Sequence, residues 1–169
     1  MGVNTKPEVF IIESNAEPEE KDRFSEGRII SDVLRMMNKK VEYRYIRTEK
    51  ELQHMAKQFV VSRVRYLHIA CHGRPGWFRL TYDKISYRTF AEIIGPVIAD
   101  RRLFLSACDI ANDDLAREVY RVSKPYSITG PTCEMLFSDA AVVWASLYSL
   151  LFKHDPAVIK GGVMRKFLR

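Results

Sequence analysis

Short apolar runs that alternate with stretches of helical period constrain this chain more than any other feature. "EVFIIES" at 8–14, "VEYRYIR" at 41–47, "VRYLHIACHG" at 64–73, "RRLFLSAC" at 101–108 and "YSITGP" at 126–131 read as strands. "VEYRYIR" alternates apolar and charged residues, the pattern of a half-exposed edge strand. Between the runs, Phe24, Ile29, Ile30, Val33, Leu34 and Met37 recur at the 3.6-residue period of an amphipathic helix. Thr48 and Glu51 have capping-box spacing ahead of Leu52, Met55, Phe59 and Val60, which predicts a second helix. Further helices are expected over 87–100, broken near Gly95 and Pro96, over about 113–122, from near Ser138, and over 156–168; "WFRLTY" at 77–82 reads as a hairpin arm. Strands separated by helices need crossovers, so the fold class is α/β: a three-layer sandwich with a mostly parallel central sheet.

A length of 169 residues suits one domain over 1–169, large enough to bury a full core. The longest apolar run, 140–152, is shorter than the roughly 20 residues a bilayer requires and reads as a buried helix. The start "MGVNTKPEVF" has no basic-then-apolar leader, so no membrane attachment and a cytoplasmic location are expected. Cys71, Cys108 and Cys133 are odd in number and lack CxxC spacing, which argues against a disulfide framework or a metal site. The net charge of +6 is spread through the chain rather than gathered into a basic stripe, so nucleic acid is not the expected partner. No GxGxxG or GxxxxGK[ST] follows a strand, and no cofactor is expected.

Two strands end on chemistry. His72 closes one and Cys108 the other, and in open parallel sheets ligands collect outside the carboxyl ends of the strands. A histidine can take a thiol's proton or hold its thiolate, which makes the pair a candidate for acyl transfer. Gly73 lets a backbone come close, and its N–H with that of Cys108 could form an oxyanion hole. Either residue alone also fits a purely structural role. On an uninterrupted strand Cys71 would face away from His72, and His68 reads as a hydrogen-bonded core histidine. Cys133 is a rival, as a cleft residue or an alternative nucleophile.

At these residues the sequence resembles a family, the caspase-like cysteine peptidases of clan CD, in the CHAT branch that includes separase-like proteins. "LHIACHG" is similar to its His-Gly motif and "LFLSACD" to its cysteine strand. "WFRLTYDKISYRTFAEII" at 77–94 and "SITGPTCEMLFSDAAVVWASLYSLLF" at 127–152 resemble its hairpin-helix and final strand-helix segments. The resemblance, strongest over 66–152, implies a caspase-like fold and a regulated bacterial endopeptidase. His72 would be the base, Cys108 the nucleophile and Gly73 an oxyanion-hole contributor. A protein or peptide substrate and an activating partner would follow.

"CDIANDD" departs from the family pattern in being acidic and free of glycine, and "GPTCEMLFSD" carries a cysteine where apolar residues are usual. The alternative is therefore a catalytically inactive module of the same fold that binds a peptide or regulator. Clan members that select a basic side chain line the pocket with carboxylates. Asp109, Glu13, Glu17 and Glu134 lie in or beside strand-end loops, so an acidic pocket and cleavage after Lys or Arg are expected, against the plainer reading of solvated surface carboxylates.

Overall fold

The computed structural model describes residues 5–17, 19 and 25–154. Its elements run β1 (Lys6–Glu13), α1 (Glu26–Met36), β2 (Val41–Tyr45), α2 (Glu49–Ser62), β3 (Val64–Ala70), β4 (His72–Arg74), β5 (Trp77–Arg79) and β6 (Lys84–Ser86), then α3 (Tyr87–Ile98), β7 (Arg102–Ser106), α4 (Asp113–Val122), β8 (Ser127–Thr129) and α5 (Phe137–His154). The main sheet has the order β2-β1-β3-β7-β8 with every pair parallel. The helix expected over 156–168 lies outside the described residues.

Alternation along β1 sorts side chains to the two faces. Val9 and Ile11 join Tyr66, Phe104, α1 and α5, whereas Phe10 and Ile12 join Leu67, Leu103, α2, α3 and α4. Helices thus cover both faces of a parallel sheet, giving the three layers expected. Burying each large apolar side chain contributes about 1.5–3 kcal/mol, so both faces are needed to offset the entropy of ordering the chain. The Thr48 capping box forms: the Thr48 hydroxyl accepts from the Glu51 N–H, and the Glu51 carboxylate accepts from the Thr48 N–H.

Three local expectations change. Helix α3 runs through Gly95 and Pro96. A Cβ on Gly95 would stand 2.7 Å from Cγ1 of Val122, so this glycine serves close packing against α4 rather than a break. Pro96 lies near the last turn and forfeits one helical bond. Helix α5 buries only one stripe, including Ala141, Trp144, Tyr148 and Phe152, while Val142, Val143 and Leu150 face outward. Among the described residues, no helix is long and apolar enough to cross a membrane.

The third change matters most for the site. Strand β3 ends at Ala70, not at Gly73, and His72 begins a separate antiparallel sheet, β4-β5-β6. Cys71 is the pivot, its N–H donating to the Ser106 carbonyl at 3.0 Å. The strand rule that would turn Cys71 and His72 to opposite faces no longer applies.

Candidate functional site

In a sheet of this order the chain leaves β1 toward β2 on one side and β3 on the other, opening a crevice at the carboxyl ends. Asn15 follows β1, Cys71 and His72 follow β3, and Cys108 follows β7. A cavity of about 240 Å³ lies there, lined by Asn15, Glu19, Glu26, Cys71, His72, Ser106 and Cys108 and flanked by Met135, Leu136 and Phe137. An outer groove of about 610 Å³ is lined by Gly73, Arg74, Trp77, Arg79 and Glu134. His72, Cys108, Met135 and Leu136 line both spaces.

The close approach expected of Gly73 is realised against the cysteine loop itself. A Cβ on Gly73 would stand 2.6 Å from the Cys108 carbonyl oxygen, 2.9 Å from Cβ of Ala107 and 3.2 Å from the Cys108 nitrogen. Only glycine admits such contact. Pairing of Gly73 with Phe78 fixes the histidine segment on one side of this contact, and pairing of β3 with β7 fixes the cysteine segment on the other. The loop after Cys108 is held by Asn112, whose side-chain amide donates to the Asp109 carbonyl and the Tyr87 hydroxyl, both at 2.8 Å.

Among the described residues the two side chains do not hydrogen-bond each other. Nε2 of His72 pairs with Oε2 of Glu19 at 2.5 Å. The Cys108 thiol donates to the Met135 carbonyl at 3.6 Å, and its sulfur accepts from the Met135 N–H at 3.4 Å. Cys71 lines the same inner cavity, but burial, with Glu26 adding, pushes its thiol up to about 12. A thiol held protonated at neutral pH is a poor nucleophile.

The chain is similar to oxidised flavodoxin 2 from Bacillus cereus, at TM-score 0.52 and 11% identity, over 87% of this chain and 98% of that one. That likeness shows the fold alone, an α/β sandwich around a parallel sheet. Two-electron reduced flavodoxin from Megasphaera elsdenii gives TM-score 0.44 at 10% identity, over 82% of this chain and 98% of that one. Caspase-1 from Spodoptera frugiperda gives 0.41 at 17% identity, over 66% of this chain and 51% of that one. A TM-score of 0.41 is too low to place the chain among the caspases. No family model matches the chain, and no curated protein matches its sequence.

The acids singled out from sequence mostly lie elsewhere. Glu13 is fully buried and accepts from the Ser25 hydroxyl at 2.5 Å, the Tyr43 hydroxyl at 2.7 Å and the Gly27 N–H at 2.9 Å. It anchors the start of α1 to β1 and β2 and lines neither space, which corrects its assignment as a pocket residue. Asp109 adopts φ 56°, donates its N–H to the Cys133 carbonyl at 3.3 Å, and likewise lines neither. Cys133 is exposed and outside both spaces. Glu17 is exposed and outside them as well. Glu134 borders the outer groove, paired with Arg74 at 2.6 Å. His68 is fully buried against Tyr148 and Trp144, as a core histidine should be.

Glu19, Glu26 and the Met135 backbone were not singled out from sequence. Glu19 sits in the acidic stretch "EPEEKD" and Glu26 opens the helix after β1, positions that a strand-end search could have included. A backbone contact such as that of Met135 has no sequence signal.

Proposed function

We propose that this chain is a cysteine endopeptidase in which Cys108 is the nucleophile and His72 its proton partner. One observation carries the reading: His72 and Cys108 line both the inner cavity and the outer groove, with Gly73 packed on the Cys108 backbone between their segments. The outer groove would hold an extended peptide. His72 would take the thiol proton as sulfur attacks the scissile carbonyl. The backbone N–H groups of Gly73 and Cys108 would hold the resulting oxyanion. Collapse of the tetrahedral intermediate would expel the amine with the proton from His72, leaving a thioester, and water deprotonated by His72 would release the acid.

The sequence resemblance to CHAT-type peptidases supports the same roles for His72, Gly73 and Cys108. In this reading the protein works in a bacterial cytoplasm, and cleavage after Lys or Arg is favoured. Regulation also belongs to it. Glu19 occupies His72 and Met135 occupies Cys108, so a partner or ligand that displaces Glu19 and shifts 131–138 would free the pair.

Those same contacts favour a second reading, an inactive module that binds a peptide in the groove. Alkylation separates the two. At neutral pH iodoacetamide should modify Cys108 ahead of Cys71 and Cys133, His72→Ala should abolish that selectivity, and Cys108→Ala should lose all cleavage of a peptide library. Equal slow labelling of the three thiols with no cleavage would overturn the peptidase.

A further inference from the structure

Helix α5 carries no charged residue from Ala140 to Phe152, although one of its sides faces outward. The outward side of a helix packed against a core usually holds the charges. Here Val142 is 66% exposed, Val143 50% and Leu150 43%, and Leu136 (71%) and Ile29 of α1 (48%) extend the apolar surface. Val142, Ala145 and Ser146 line a groove of about 860 Å³ against Ile29 and Leu136. The five exposed apolar side chains leave roughly 450 Å² open, the size of a functional patch and more than half of the ~800 Å² that each partner gives to a standard interface.

The stripe is also symmetric about Ser146. Val143 and Ser149 lie equally far from it on its two sides, as do Val142 and Leu150, and Asp139 and Lys153. Asp139 and Lys153 are exposed, and neither makes an ion pair among the described residues. Each suits its own helix end through the macrodipole, but an antiparallel copy of the helix would bring the two ends together with their signs opposed. A two-fold contact sets the same patch on both sides, and an uncharged centre meets its own copy without like-charge repulsion. We propose that α5 docks antiparallel on α5 of a second copy of this chain, crossing at Ser146, with Val142 of one copy opposite Leu150 of the other and Asp139 opposite Lys153. The small Ala145 and Ser146 admit a close approach at the crossing. Leu136 and Phe137 border both this groove and the inner cavity, so the second copy would lie beside the segment that holds Cys108. The inference does not depend on the peptidase reading.

Sedimentation velocity on the full chain over about 1–100 μM should show a monomer–dimer equilibrium with its Kd inside that range. Val142→Glu, at an exposed position, should raise the Kd at least about tenfold with an unchanged circular dichroism spectrum. Asp139→Lys and Lys153→Asp should each weaken self-association by about tenfold, because each sets like charges against each other at both ends of the contact. Mixing the two variants should restore the dimer, since the mixed pair regains opposite charges at both ends. A monomer throughout the range would overturn the proposal, as would a dimer that Val142→Glu leaves intact. A mixture that associates no better than either charge variant alone would overturn the antiparallel arrangement.

Discussion

Gly73 and Cys108 meet backbone to backbone, the first on the small antiparallel sheet and the second just beyond β7. Neither sheet alone would create this contact. It is the joint through which the histidine segment and the cysteine segment are held at one edge of the molecule.

A methyl group at that joint has nowhere to go. In Gly73→Ala the new carbon would meet backbone atoms of Cys108 at 2.6 and 3.2 Å, which cannot swing aside as a side chain could. We expect a loss of about 1–3 kcal/mol in urea denaturation. The labelling rate of Cys108 should change with it. An unchanged urea midpoint would mean that the joint yields freely.

Cys71 should behave unlike its neighbour in the cavity. With its thiol pushed up to about 12, about one molecule in 10⁵ carries the thiolate at pH 7. Peptide mapping after brief alkylation should find Cys71 unmodified at pH 7 and increasingly modified from pH 9 to 11. Rapid labelling at neutral pH would contradict a thiol held protonated.

Stability should decline at alkaline pH. Burial raises the Tyr43 hydroxyl above its usual 10.0, with the Ser25 hydrogen bond opposing and Glu13 adding to the shift; burial also raises Cys71 and Tyr148. Each keeps its proton in the folded state where the unfolded chain has lost it. The stabilisation is therefore complete below about pH 9 and declines from there through the raised folded values. Each group contributes a slope of about 1.4 kcal/mol per pH unit once its unfolded form ionises. Urea midpoints should fall between pH 9 and 11, less steeply above pH 10 in Tyr43→Phe. A flat profile would refute the linkage.

Asn112 joins two tasks that substitutions can separate. Its carbonyl oxygen caps α4 by accepting the Leu115 N–H at 3.0 Å, while its amide ties down Asp109 and Tyr87. Asn112→Ala should cost about 1 kcal/mol through the lost cap. Asn112→Asp keeps the cap but not the donations. In the peptidase reading it should lower cleavage at least as much as Asn112→Ala does while remaining more stable. Equal activity in Asn112→Asp and the parent would show that the loop needs no such tie.

Periodicity alone determined the sheet-and-helix framework. Alternation in β1, the helical stripe of α1 and the Thr48–Glu51 spacing are local patterns, and hydrophobic burial and capping act on them wherever they occur. That His72 and Cys108 fall just beyond the carboxyl ends of β3 and β7 was legible for the same reason, although His72 opens β4 rather than closing β3. Tertiary structure decided the rest. A change of sheet at Cys71 carried His72 away from β3, packing against Val122 kept α3 whole across Gly95, and three donors drew Glu13 out of any pocket role. Glu19, Glu26 and the Met135 backbone acquired their places beside the two reactive side chains only through contacts distant in sequence. Such contacts depend on how separate elements close over one another, which no residue's immediate neighbours encode.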